Sequence, residues 1–251
     1  LISALGGSRV QIGGPAGAFI VIVYGIVEHY GIANLLLATA MSGVFLFLMG
    51  LFRLGTLIRF IPVAVIIGFT NGIAVLIGLS QVKEFFGLQI TKMPAEFFQA
   101  VQTLYAAADT ANPSALMLSI VSLALLIAWR IFQKNLAYCS HIPGTVVAMA
   151  AATLLTSVLN LPVDTIGSRF GGIPSGLPSF EWIPISWGTA QFVIAPAITL
   201  ALLGAIESLL CARVADGLIH DRHDSNQELM AQGVANLVTP FFGGMPATGT
   251  I

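Results

Sequence analysis

Long apolar blocks alternate with short polar or Gly/Pro-rich joints along this chain. A membrane helix needs about 20 apolar residues, and lipid admits only helices and closed barrels. The blocks therefore predict helices over residues 15–29, 32–52, 60–82, 114–132, 142–159, 191–214 and 227–242, with an eighth opening at Pro246. The first is short, as expected of a helix that begins inside the bilayer. Gly31 separates it from the second, and Arg53 and Arg59 flank a joint through Gly55. Pro62 falls in the first turn of the third helix, and Pro143 opens the fifth. In the third helix, Gly68 and Gly72 form a small-residue pair suited to a close helix crossing, and Asn71 between them reads first as an interhelical hydrogen-bonding group.

Two joints are long. Residues 83–113 carry Lys83, Glu84, Lys92 and Glu96, and within them Phe97, Phe98, Val101, Leu104 and Tyr105 recur at helical spacing. That pattern predicts a short amphipathic helix at the interface. Residues 160–190 are broken by Pro162, Pro174, Pro178 and Pro184 and predict an extended surface linker. Trp129, Trp182 and Trp187 suit the headgroup level.

Composition narrows the class. Only 8% of residues are charged and 57% are hydrophobic, with mean hydropathy +0.93. A soluble domain carries about 25% charged residues, so an integral membrane protein is implied. No basic cluster points to nucleic acid. Cys139 and Cys211 lie far apart and suggest neither a disulfide framework nor a metal site. His220, Asp221, His223 and Asp224 fall in a solvated turn, which reads as a joint and not a metal centre. No nucleophile–base pair, phosphate loop or cofactor motif appears, so an enzyme is not expected. The sequence starts at Leu1 in mid-phrase and is read as part of a longer protein.

Charge sets an orientation. With residues 1–14 on the cytoplasmic side, Arg9, Arg53, Arg59, Arg130, Lys134, Arg213 and Arg222 face the cytoplasm, and Lys83, Lys92 and Arg169 face outward. The positive-inside rule prefers this arrangement. Helices one and eight then start from opposite sides of the membrane.

Those two helices open on matching stretches, Gly13-Gly14-Pro15-Ala16-Gly17-Ala18 and Gly243-Gly244-Met245-Pro246-Ala247-Thr248-Gly249-Thr250, with prolines 231 residues apart. Proline suits the first position of a helix, and a helix N-terminus presents unpaired N–H groups and about half a positive charge. Two such tips aimed at one point predict an anion site near the midplane, between opposed half-helices of an inverted repeat. Candidate substrate contacts are Gly14, Pro15, Ala16 and Gly17 on one side, and Ala247, Thr248, Gly249 and Thr250 on the other. Phe19 either walls the site or faces lipid. The hydroxyls of Thr248 and Thr250 could cap the eighth helix and bind ligand together.

Glu207 is an acidic residue deep in the sixth predicted helix. A charge there costs roughly 2.5–3.5 kcal/mol unless it faces protein or water. Thr199, Leu203, Glu207 and Cys211 share one helix face, and Ala197, Ala201, Ala205, Ser208 and Ala212 form a small-residue face for close packing. Glu207 is either a coupling site for a proton or cation, or a carboxylate that fixes helix packing.

Several stretches carry a family resemblance. They are Gly14-Pro15-Ala16-Gly17-Ala18-Phe19, Ile61-Pro62 through Gly68-Phe69-Thr70-Asn71-Gly72, Leu203-Gly204-Ala205-Ile206-Glu207-Ser208-Leu209-Leu210, Asn226 to Gly233, and Pro240-Phe241-Phe242-Gly243-Gly244. Through them the chain resembles the SulP (sulfate permease) anion transporters, solute carrier family 26 in animals, and looks similar to bacterial members that include C4-dicarboxylate carriers. The resemblance implies an all-α integral membrane fold of fourteen spans in two inverted seven-helix repeats, with discontinuous third and tenth helices. About eight spans lie here. It places residues 1–53 and 190–251 in a core domain, 54–160 in a gate domain and 161–189 in an extracytoplasmic linker. It puts the substrate between Pro15–Phe19 and Ala247–Ile251, and an ion-coupling site at Glu207 with Ser208 or Cys211. Cys211 is a poor ligand for a hard cation, which favours H+ over Na+ as the coupling ion; no other cofactor and no metal are expected. The implied function is secondary active transport of a small anion (a C4-dicarboxylate, sulfate or bicarbonate) in the inner (plasma) membrane. The implied assembly is a homodimer of the full-length protein through parts not in this chain. An anion channel of the same architecture and a nucleobase transporter on the same fold remain alternatives.

Overall fold

The computed structural model describes residues 1–56, 63–94, 96–135, 142–172, 176, 178–184 and 186–250. Phe60 to Pro62 at the start of the third predicted helix, Arg59, Cys139, Pro174 and Ile251 lie outside the described residues. The chain divides into two compact units, Leu1–Ile73 with Gly176–Ile251, and Ala74–Ser175. The first division falls inside a continuous helix, Val63–Phe86.

The first unit holds α1 (Ile2–Leu5), β1 (Ile12–Gly14), α2 (Ile20–Tyr30), α3 (Ile32–Leu51), the start of α4 (Val63–Phe86), α9 (Trp187–Ile219), α10 (Ser225–Val238) and β2 (Thr248–Thr250). Its centre is α3, packed on both α9 and α10. Glycine makes the α3–α10 crossing possible. A Cβ on Gly43 would lie 2.5 Å from the Leu237 amide nitrogen and 2.7 Å from the Gly233 carbonyl, and one on Gly233 would lie 2.5 Å from the Phe47 amide nitrogen. The expected crossing at Gly68 and Gly72 is not seen: both face open space among the described residues, and Asn71 is exposed. Small spacing alone does not say which helix has a partner to meet.

On its other side α3 meets α9 through the predicted small-residue face, with Ala197, Ala201, Ala205, Ser208 and Ala212 all buried. Phe19, Val23, Leu37, Val193, Leu200 and Leu203 form the adjoining core. Helix α9 is longer than expected at both ends. It starts at Trp187, four residues before the predicted start, behind a reciprocal capping box of Ser186 and Thr189, and runs to Ile219, five residues past the predicted end, where His220 adopts the left-handed conformation. The Pro/Gly-rich segment is also less free than predicted. Thr165 caps a short helix, α8 (Ile166–Phe170). Further on, the Glu181 amide donates to the Phe241 carbonyl at 2.7 Å, and the Phe180 ring stacks on Phe241.

The second unit contains the end of α4, α5 (Phe97–Ala106), α6 (Pro113–Asn135), α7 (Gly144–Leu159) and α8. Helix α5 buries Ala100 and Leu104, the latter in a cluster with Leu88 and Ile90, and leaves Phe98 and Tyr105 exposed. Helix α6 packs on α7 and exposes a stripe through Ile120, Leu123, Ile127 and Ile131. Helices α3, α6 and α9 are each long and apolar enough to cross a membrane.

Gly233→Val should separate α3 from α10, because the added atoms land on backbone that cannot turn aside. Overpacking costs about 1–3 kcal/mol. In the purified full-length protein the melting temperature should fall by roughly 2–4 °C per kcal/mol, with loss of the monodisperse fraction.

Candidate functional site

The two Gly-Pro stretches meet. Strands β1 and β2 pair antiparallel, with Ile12 opposite Thr250, Gly13 opposite Gly249 and Gly14 opposite Thr248. Each is an interruption of helix whose free backbone groups the other satisfies. After β1, Pro15 leads to an extended Ala16, a single 3-10 turn covers Gly17–Phe19, and α2 follows from Ile20. The helix thus starts later than Pro15, and its 11 residues span only about half the roughly 30 Å apolar layer at about 1.5 Å per residue. The second stretch corrects the expectation more strongly. Pro246 does not open a helix; residues 246–247 are irregular and Thr248–Thr250 are a strand. Thr248 and Thr250 are therefore not first-turn caps. Thr248 Oγ1 donates to the Gly204 carbonyl at 3.2 Å, and Thr250 Oγ1 to the Ile12 carbonyl at 3.0 Å.

Glycine keeps the crossing close. A Cβ on Gly13 would collide with the Ile2 side chain, and one on Gly249 would overlap the Gln11 amide and lie 3.0 Å from Ser208 Cα. Phe19 is buried at 3% exposure, with its ring edge 3.4 Å from where a Cβ on Gly204 would sit. Phe19 therefore faces the protein core and not lipid. Gly204 thus carries Phe19 on one side and Thr248 on its carbonyl. Phe19 and Thr248 meet at this turn of α9, Gly14 lies opposite Thr248 in the strand pair, and Gly249 approaches Ser208 one turn further on.

Glu207 lies less than one turn further along α9, half-buried, with its Oε2 buried and without a hydrogen-bond partner. Ser208 points elsewhere, since neighbours on a helix project about 100° apart. Its hydroxyl donates to Glu228 Oε1 at 3.5 Å and accepts from Gln11 Nε2 at 3.1 Å. Ser208 thus links α9 to α10 and to the N-terminal segment. Cys211, one turn beyond Glu207, is half-buried.

The residues that sequence reasoning missed lie on α10. Glu228, Gln232 and Asn236 recur every four residues, and all three are at most 2% exposed. Glu228 Oε2 accepts from the amides of Gly7 at 2.9 Å and Ser8 at 3.3 Å. Asn236 grips Ala247 from both sides, accepting from its amide and donating to its carbonyl, each at 2.7 Å. Gln232 Nε2 donates to the same carbonyl. Gln11 Nε2 also donates to the Ser208 carbonyl at 2.9 Å. The i, i+4, i+8 polar stripe was visible in the sequence as a possible signal; what it holds was not. The nearby His and Asp residues are structural: Asp224 caps α10, and His223 bridges Asp216 at 2.7 Å and Ser225 at 2.9 Å.

Residues 1–251 match the Sulfate permease family throughout. The chain belongs to the sulfate permease family. It is 42% identical over 257 residues to the putative sulfate transporter YvdB of Bacillus subtilis (strain 168), covering 100% of this chain and 46% of that protein. It is 28% identical over 255 residues to the bicarbonate transporter BicA of Picosynechococcus sp., covering 97% of this chain and 44% of the relative. The chain thus spans about half the length of these curated relatives. Among solved structures, the transmembrane domain of a cyanobacterial BicA superposes with TM-score 0.83 at 25% identity, over 99% of this chain and 63% of that one. Murine Slc26a9 superposes with TM-score 0.77 at 17% identity, over 98% of this chain and 44% of that one, and shares the fold. This sulfate permease segment is therefore part of a multi-pass membrane protein of a transporter family, not of an enzyme family.

In this sulfate permease chain, Gly249 and Gln11 compete for one volume. Gly249→Ala should displace the Gln11 amide and lower thermal stability in detergent. Gln11→Ala should relieve much of that loss, with a coupling of about 0.5–3 kcal/mol in a double-mutant cycle.

Proposed function

We propose that the full-length protein is a secondary active transporter of a small anion, and that the anion sits where the β1–β2 crossing meets the start of α2. The reading rests on one observation: two Gly-Pro stretches far apart in sequence are paired in register beside Phe19 and the Gly204 turn of α9. A helical start leaves its leading N–H groups without an intrahelical partner; the Phe19 and Ile20 amides are taken by the Ala16 and Gly17 carbonyls, so the Gly17 and Ala18 amides are the donors assigned to the anion. Substrate-binding roles go to Gly14, Pro15, Ala16, Gly17 and Phe19, and to Ala247, Thr248, Gly249 and Thr250. Sulfate, bicarbonate and C4-dicarboxylates are the substrate candidates, the first two supported by the names of the relatives above.

The first unit, apart from its α4 turns, serves as the core that carries the anion, and the second as part of the gate. Alternating access moves one against the other. Glu207 is the coupling group: a half-buried carboxylate with an unpartnered oxygen, one turn from the crossing. Sodium is less favoured, because the Ser208 hydroxyl is already engaged and Cys211 is a soft ligand. The protein acts in the plasma membrane, as a homodimer at full length.

Uptake of labelled sulfate, bicarbonate and succinate into proteoliposomes tests the reading. Binding of a proton on the acidic side predicts faster uptake as external pH falls. Glu207→Gln keeps the shape and removes the titration, so acid-stimulated accumulation should drop by roughly 5–150-fold, the span of ordinary coupling free energies, while counterflow exchange persists. A wild type that takes up none of these anions would sink the transport reading. Unchanged acid stimulation in Glu207→Gln would remove proton coupling through this residue. A unit conductance in planar bilayers would favour a channel.

A further inference from the structure

The polar face of α10 has a role that goes beyond the anion site itself, although it rests on the transport reading above. Three consecutive turns of this helix hold the two arms of the crossing. Glu228 takes the amides of Gly7 and Ser8, on the arm that leads into β1. Gln232 and Asn236 take both backbone groups of Ala247, the residue immediately before β2. Ser208 and Gln11 close the loop: Gln11 immediately precedes β1 and donates to Ser208, and Ser208 donates to Glu228. Every link is a hydrogen bond between buried groups or to a buried side chain, where an orphaned partner is costly. The same α10 is locked to α3 by the Gly43–Gly233 approach, so its side chains are held on a rigid element.

We propose that Glu228, Gln232 and Asn236 are positioning residues that set the register of β1 against β2 and thereby the shape of the anion site. They do not touch the anion. Asn236 has the largest share, because its amide fixes both the donor and the acceptor of Ala247. Gln232 contributes less, since the Ala247 carbonyl keeps Asn236 when Gln232 is lost, and its own Oε1 is buried without a partner. Glu228 governs the opposite arm, with its two carboxylate oxygens divided between the N-terminal amides and Ser208.

Cross-linking measures register without transport. In the full-length protein, Ile12→Cys and Thr250→Cys are combined with Cys139→Ser and Cys211→Ser. Directly opposed strand residues have Cβ atoms about 4.5–5.5 Å apart, near the range of a disulfide. With a mild oxidant the pair should close rapidly on the otherwise unaltered background. Asn236→Ala should slow closure about fivefold or more, Gln232→Met, of similar shape, should slow it less, and Glu228→Gln should fall between. All rates are taken on the monodisperse fraction. Uptake of labelled sulfate or bicarbonate, per folded protein, should show a raised half-saturation concentration in Asn236→Ala with the maximal rate little changed. Cross-linking that is equally fast in all variants would overturn the proposal. So would slower cross-linking accompanied only by less folded protein or a lower maximal rate, because that is the result of a purely structural role. A wild type that takes up neither anion would defeat the transport reading alone, while the cross-linking result would still decide the positioning role.

Discussion

Unpaired backbone is the constraint that the first unit answers. Inside lipid every N–H and C=O needs a partner within the protein. A helix supplies those partners automatically, and a helix that begins part-way through the membrane does not. Here two such gaps, one before α2 and one after α10, supply each other. Residues 12–14 and 248–250 form three opposed pairs, and Thr250 and Thr248 add hydroxyl donors to the Ile12 and Gly204 carbonyls. Irregular backbone becomes tolerable because it is buried in protein.

The repair depends on side chains outside the strands. Ala247 would have a buried amide and carbonyl with no strand partner, and Asn236 satisfies both. That grip needs α10 to lie close to α3, which needs hydrogen at the Cα of Gly43 and Gly233. It also needs α9 to offer a flat small-residue face through Ala197 to Ala212, with Gly204 bare enough to let Phe19 approach. Packing and polar satisfaction are thus one chain of dependence: glycine contacts bring helices together, buried amides then reach the crossing, and the crossing orients the start of α2.

Much of this was readable from residue order. Apolar blocks located α3, α4, α6, α7 and α9 to within a few residues, because a span must bury its backbone over a fixed thickness. The interfacial pattern of Phe97 to Tyr105 became α5, and the small-residue face of α9 packed as its spacing implied. Errors fell where a local signal had more than one tertiary outcome. Pro246 is a favourable helix start, yet the residues after it pair as a strand because a complementary strand is waiting. Gly68 and Gly72 have the right spacing for a crossing and no neighbour among the described residues.

The order of residues by itself determined a membrane-embedded, helical, family-level identity, since hydropathy and Gly-Pro interruptions are properties of short stretches. Only the folded chain decided which interruptions pair, in which register, and that a polar stripe on α10 holds them. Those outcomes depend on contacts between residues more than two hundred positions apart, such as Ile12 with Thr250 and Gly7 with Glu228. No local propensity encodes such a meeting; it exists only once α3, α9 and α10 have packed.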